Sequence, residues 1–353
     1  MPAANRATTA STPTPSIPLR LAPPCLTMNP AASTGYTTMP SLTLAICARN
    51  AQAIIGRCIE SIRAQTVAPD EILVAVDDRE DPTARVAEDH GARVIASNAT
   101  GLYEARNAVL DACTTDYLGF TDADCVLAPA WVERAKAVLD SHPDVAAGTG
   151  RHPPVGPRNL AAWLHHMWFL VETRDTGETD GVIGGNSYFR VDALRRVGGW
   201  LKLPRHSAAE DVYISMALRK AGWRIWFDER AVARHHYETR LTGLWRKAVM
   251  MGKDIIIMLR AAGWRGPLWW YTLAIPCLAA CLPLGLALAL ASPLLGLTLA
   301  AAPLVVTLAF LTLRFKSLCK AVPRWAARWI LIWPYSWGIL KGLAAPVPKD
   351  ARP

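Results

Sequence analysis

Asp116-Tyr117-Leu118-Gly119-Phe120-Thr121-Asp122-Ala123-Asp124 is the stretch whose reading decides the fold. Its apolar run has the length and character of a buried strand. Two carboxylates follow on alternate residues, at the point where the chain leaves the sheet. Strand ends of this kind are where open α/β sheets bind ligands, so the pair offers a metal site. Asp122 and Asp124 serve equally well as caps for the helix that Ala128-Pro129-Ala130-Trp131 starts. Taken alone, the pair supports both readings.

Outward from this stretch the punctuation is regular. Residues 42–47 read as a strand, 54–64 as a helix, and 71–76 as a second strand running into Asp77 and Asp78. A helix through 84–89, a short strand at 93–96 and a helix over 103–113 lead into the strand that ends at Asp122. Alternating strands and helices with short loops predict an α/β fold with a doubly wound, Rossmann-like, mostly parallel sheet. Right-handed crossovers bring the ends carrying Asp78 and Asp122 to the same edge. Two acidic strand ends converging on one crevice favour a site over a pair of helix caps. Beyond Asp124 the expected elements are a helix over 130–139, a strand within 182–190 entered by a glycine turn, and a tight loop at 197–200. A helix opened by Glu210-Asp211 and a strand at 223–227 follow, the latter leading to His235-His236.

The 353 residues carry a formal net charge of +9, unevenly spread. From Arg314 onward there are eight Lys or Arg and one acid, Asp350. A basic excess beside long apolar runs points to a membrane surface, and no nucleic-acid-binding signature is present, so no nucleic-acid partner is expected. The eight cysteines have no metal-ligand or redox spacing and read as ordinary buried thiols in a reducing compartment. Residues 268–291 and 294–313 are nearly all apolar and uncharged, and each meets the ~20 residues needed to cross a bilayer. The Ser292-Pro293 hinge makes them an antiparallel hairpin. Arg260 and Arg265 precede it, and Arg314, Lys316 and Lys320 follow it, so both ends should face the cytoplasm.

The chain therefore divides into a disordered segment (1–40), a catalytic-type domain (41–240, with halves 41–124 and 125–240) and a juxtamembrane helical connector (241–266). Two transmembrane helices (267–314) and a basic, aromatic tail (315–353) complete it. In the tail, 325–343 is interrupted by Pro334 and Gly338 and reads as an interfacial or re-entrant segment.

An ordered series of short motifs is more specific. It runs Ala48-Arg49-Asn50, Gln65, Val76-Asp77-Asp78 with Asp81 and Thr83, Gly101 with Ala105-Arg106-Asn107, and Asp122-Ala123-Asp124. Gly184-Gly185-Asn186, Gly198-Gly199-Trp200, Glu210-Asp211 and His235 continue it. From Ser41 to Tyr237 this series resembles glycosyltransferase family 2, whose members have the GT-A fold. The resemblance implies an inverting, hexosyltransferase-like enzyme using a nucleotide-diphosphate sugar, a UDP-sugar first among these, with Mn2+ or Mg2+. It places Ala48, Arg49, Asn50, Asp78, Arg106, Asp122, Ala123 and Asn186 around the nucleotide sugar. Asp78 would accept from base or ribose, and Arg49 would lie against the base. Arg106 would face the diphosphate, although a solvated helix arginine fits the sequence equally.

Asp124, with Asp122 alongside and His235 as a further ligand, would hold the metal; a surface histidine is the plain alternative for His235. Asp211, paired with Glu210, would be the general base, against the alternative that both merely stabilise a helix N-terminus. Asp81 and Thr83 read as structural. Residues 242–250 lack the Gln-x-x-Arg-Trp motif of processive relatives, so one transfer per acceptor is expected. The whole reads as a multi-pass protein of the inner, cytoplasmic membrane, its catalytic domain facing the cytoplasm and its acceptor a lipid or polyprenyl-linked molecule. A nucleotidyltransferase, or a silent membrane scaffold keeping the fold, are the competing classes.

Overall fold

The computed structural model describes residues 40–169, 175–348 and 351; the disordered segment expected over 1–40 lies, but for residue 40, outside them. The first half alternates as expected: β1 (Leu42–Cys47), α1 (Ile55–Arg63), β2 (Glu71–Val76), α2 (Pro82–Asp89), β3 (Arg93–Ala96), α3 (Leu102–Ala112) and β4 (Tyr117–Thr121). β1 lies between β2 and β4, parallel to both, with Ile46 opposite Val74 on one side and Thr121 on the other. Side chains alternate across a sheet, and both faces are covered. Leu42, Leu44, Ile46, Val74 and Val76 pack into one core. Ala45, Leu73, Ala75, Phe120 and Phe189 pack into the other. Each such large side chain, fully buried, contributes about 1.5–3 kcal/mol.

The second half is less regular. It contains β5 (Cys125–Leu127), α4 (Trp131–Ser141), β6 (Val145–Gly150), β7 (Pro154–Val155), α5 (Leu160–Phe169), β8 (Gly177–Thr179), β9 (Asn186–Arg190) and α6 (Val191–Arg196). α7 (Glu210–Lys220), β10 (Arg224–Asp228) and β11 (Ala233–His236) complete it. The main sheet has the order β3-β2-β1-β4-β9-β6-β10-β8, and β5-β11-β7 form a small second sheet. β9 is antiparallel to both β4 and β6, and β8 is antiparallel to β10. The expected parallel arrangement thus holds from β3 to β4, and the sheet as a whole is mixed. Trp131 closes one face edge-on to Tyr188 at 5.7 Å, and Trp200 closes the other edge-on to Phe120 at 5.6 Å.

Four helices follow: α8 (Leu241–Ala261), α9 (Pro267–Ala289), α10 (Pro293–Phe315) and α11 (Leu318–Ala344). Among the described residues, α9 and α10 are the two helices long and apolar enough to cross a membrane. Their outer faces are open, with Leu313 of α10 78% exposed. They cross closely because a Cβ on Gly285 would meet the backbone of Ala300 at 2.5 Å. α11 corrects the expected interruption at Pro334 and Gly338, since it is one helix of 27 residues. Packing overrides the local breakers: a Cβ on Gly252 of α8 would collide with the carbonyl of Tyr335, and one on Gly338 with that of Val249, so the bare backbones lie in contact. Arg260 donates to the carbonyls of Gly342 and Ala345, both at 2.7 Å, satisfying the end of α11. Leu164 of α5, Leu244 of α8, and Ala327 and Leu331 of α11 form one buried cluster that joins the catalytic-type domain to the helices.

Candidate active site

The parallel strands deliver their loops to one edge. After β1, Arg49 forms an ion pair with Asp77 at the end of β2. Asn50 has φ +50°, and its amide donates to Asp81 Oδ2 at 2.9 Å. Asp81 also caps α2 by accepting from the Thr83 amide at 2.8 Å. Asp78 is exposed, one carboxylate oxygen taken by the amides of Glu80 and Asp81 at 2.9 and 3.0 Å. Ala48 donates its amide to Ala75 at 2.9 Å. These residues form a cross-linked rim with Arg49, Asp77 and Asp78 at its open side.

β4 ends at Thr121, and a turn closed by the Cys125 amide on the Asp122 carbonyl, 2.9 Å, carries the chain through Ala123 and Asp124 into β5. β5 pairs antiparallel with β11 so that His235 lies opposite Cys125. This register brings His235 Nε2 to 3.3 Å from Asp124 Oδ2. His236, on the other face of the strand, contacts Arg57 instead. Ligand atoms of Asp122, Asp124, Cys125 and His235 all lie within 4.8 Å of one another. His235 is 7% exposed, and its Nδ1 is buried with no hydrogen-bond partner among the described residues. Two carboxylates and an imidazole suit a hard divalent cation such as Mn2+ or Mg2+. A Cβ on Gly185 would collide with the Asp122 carboxylate, so glycine is needed there. Burial, then the Asp124 charge, pushes the Asp122 carboxyl up. Burial also opposes ionisation of Asp124, but the hydrogen bond from His235 and its charge hold this carboxyl below the usual range.

Across the cavity, Ala209 adopts φ +65° and α7 begins with Glu210 and Asp211. Asp211 accepts from the Val212 amide at 2.8 Å and the Gly184 amide at 3.4 Å. Burial pushes it up. Glu210 is buried against Arg106, Oε1 to Nη2 3.4 Å. Burial, then the Asp211 charge, pushes it up to about 8.

Two of the residues expected around the nucleotide sugar are buried. Arg106 is 3% exposed, lies 4.5 Å over the Phe120 ring and donates to the Gly184 carbonyl at 3.1 Å, so it braces Glu210 and the glycine turn rather than facing an open crevice. Asn186 is fully buried; its amide donates to the carbonyls of Arg151 and Ala231 at 2.8 and 3.0 Å and accepts from Trp131 at 2.7 Å. These bonds use both its N–H groups for scaffolding.

A cavity of about 210 Å3 brings Asp122, Asp211 and His235 together with Lys247, Met250 and Met251 of α8. His152 and His165 also line it, and burial depresses both imidazoles, His165 to about 2, so they are neutral hydrogen-bonding groups. The contributions of α5 and α8 were missed in the sequence. His165-His166 within an otherwise apolar helix was the available signal.

The geometry agrees with known proteins. Residues 43–198 match the family model described as Glycosyl transferase family 2. Over 195 residues the chain is 26% identical to glucosyl-dolichyl phosphate glucuronosyltransferase of Haloferax volcanii, covering 50% of this chain and 62% of that one. It is 26% identical over 212 residues to O-antigen chain rhamnosyltransferase RfbN of Salmonella typhimurium, covering 56% and 66%. The chain thus spans less than two thirds of the length of these curated relatives. Among solved structures, the mannosyltransferase PcManGT of Pyrobaculum calidifontis, in complex with GDP-Man and Mn2+, superposes with a TM-score of 0.57 at 19% identity. That match covers 87% of this chain and 88% of the other, and the shared fold is GT-A. Residues 43–198 are thus a glycosyltransferase family 2 domain.

Proposed function

We propose that this protein transfers a sugar, with inversion, from a nucleotide-diphosphate sugar to a hydroxyl or phosphate oxygen of a lipid-linked acceptor. The observation that carries the reading is that Asp122 and His235 of the metal-type cluster share one cavity with Asp211 and with Met250 and Met251 of α8. Asp78 and Arg49 hold the nucleoside end at the rim. Asp124, Asp122 and His235 would hold Mn2+ or Mg2+, and such an ion would supply positive charge against the departing diphosphate. Asp211 accepts the proton of a hydroxyl acceptor as its oxygen bonds to the anomeric carbon, while the bond from that carbon to the diphosphate oxygen breaks on the opposite face. A phosphate acceptor already ionised would need no base at this step.

The two apolar helices and the cluster tying α5 to α8 and α11 support a membrane-anchored enzyme whose acceptor enters along α8. The relative acting on a dolichyl phosphate and the neighbour holding Mn2+ fit this reading. A UDP-sugar is the first donor to test, with GDP-mannose beside it. Purified membranes are supplied with a panel of nucleotide-diphosphate sugars, with and without chelator. Consumption of one donor, formation of lipid-linked product, and loss of that product with EDTA, Asp124→Ala or Asp211→Asn are expected. Full transfer by Asp211→Asn would sink the base assignment, and no turnover of any donor would sink the enzyme reading.

A further inference from the structure

α8 carries one carboxylate, Asp254, in an apolar run, and it points into the catalytic domain rather than toward solvent. It is 2% exposed. Its Oδ1 lies 2.7 Å from Nδ1 of the buried His206, and its Oδ2 accepts from the amides of Ser207 and Ala208 at 3.1 and 3.2 Å. The loop it grips is the one that runs into Ala209, at φ +65°, and then Glu210-Asp211. Other contacts press the same loop from the opposite side. Leu102 donates its amide to the His206 carbonyl at 2.9 Å, and Tyr103 donates its hydroxyl to the Ala208 carbonyl at 3.0 Å. Gly101 comes so near that a Cβ there would meet the His206 carbonyl oxygen at 2.5 Å.

We propose that Asp254 is a positioning residue, through which α8, the helix leading to the apolar hairpin, fixes the loop that aims Asp211 at the acceptor. This rests on the reading of Asp211 as the base. A left-handed alanine is strained and persists only when its surroundings over-determine it. The three bonds to Asp254 supply that constraint. An unpaired carboxylate on a buried face of α8 would be costly, so loop and helix hold each other. Asparagine has one oxygen acceptor in place of two and no charge, so it cannot accept from His206 and from the Ser207 and Ala208 amides together, and the loop would be loosened. Arg49 reaches this loop through Thr100, whose carbonyl accepts from Arg49 at 3.4 Å and whose hydroxyl accepts from the Arg205 amide at 3.0 Å, while its ion pair with Asp77 holds it at the rim.

The test measures full-length Asp254→Asn in detergent or nanodiscs. Its readouts are affinity for the nucleoside diphosphate, transfer kcat per titrated nucleotide site, and hydrogen exchange of the peptide 201–212. The expected result is unchanged nucleotide affinity, kcat per site reduced ten-fold or more, and faster exchange confined to that peptide. A merely structural role would lower the number of nucleotide sites and leave kcat per site intact, and that result overturns the proposal, as does nucleotide affinity falling in step with kcat. Gly101→Ala pushes the same loop from the other side and should reproduce the signature; wild-type kcat per site in that variant also overturns it. An inactive Asp211→Asn beside a wild-type-like Asp254→Asn would sink this inference alone. Undiminished transfer by Asp211→Asn would remove the base assignment itself.

Discussion

At the residue scale, the site shows how one step along a strand separates two chemically identical side chains. His235 and His236 are adjacent, yet pairing of β11 with β5 sends the first to Asp124 and the second to Arg57. His235→Ala should therefore weaken Mn2+ binding about 10–100-fold, whereas His236→Ala should leave it near wild type. Calorimetric titration of both variants checks this, and equal losses would contradict the assignment. Glu210 gives a second residue-level expectation. Its carboxyl is raised from the usual 4.5 to about 8, so the folded state holds that proton more tightly than the unfolded state. The stabilisation is fully present below about pH 4.5 and is lost as the pH climbs to about 8. Thermal midpoints in detergent should fall across that window, and Glu210→Gln should flatten the decline; parallel profiles would show that the slope has another origin.

The positions of Asp122 and Asp124 after β4 and of Asp211 at the start of α7 were legible in sequence, because an apolar run and a helix-opening acidic pair mark those ends. Arg106 was not, because its role depends on Glu210, 104 residues further on, and on a phenylalanine ring beneath it. Asn186 likewise has partners distant in sequence, since Trp131, Arg151 and Ala231 occupy its amide.

At the scale of elements, the regular half was legible because β1, β2 and β4 each carry a buried apolar run bounded by a turn. The small β5-β11-β7 sheet was not, since strands of two to four residues have no period to read. Pro334 and Gly338 marked a break in α11 that tertiary packing removes. Against α8, glycine is a surface to pack on rather than a weak point in the helix. Gly338→Ala places a methyl group where the carbonyl of Val249 lies, with the Lys253 amide nitrogen 2.8 Å away. The cost should be about 1–3 kcal/mol, despite the better helix propensity of alanine. Thermal unfolding in one detergent would show a lowered midpoint, and a raised one would mean that the two backbones do not meet.

At the scale of the whole molecule, the charge pattern and the packing impose one topology. α9 and α10 carry no charge until Arg314, near the end of α10, and they are joined by a turn at Ser292 that leaves them antiparallel. Arg260 and Arg265 stand before the pair, and Arg314, Lys316 and Lys320 at and beyond its far end, so the basic flanks share a side. α8 and α11, which adjoin those flanks, pack on each other and on α5 of the glycosyltransferase domain. If the pair spans a bilayer, the orientation proposed for it puts the domain on the basic side and the exposed turn at Ala291 on the opposite one. In a background with the native cysteines replaced, Ala291→Cys should react in intact cells with a membrane-impermeant maleimide. Arg85→Cys, exposed on α2, should react only after the membrane is opened. The reverse pattern would place the catalytic domain outside and remove its access to cytoplasmic nucleotide sugars. Equal labelling of both positions in sealed cells would mean that the hairpin does not cross the bilayer, and the lipid-facing reading of α9 and α10 would fall with it.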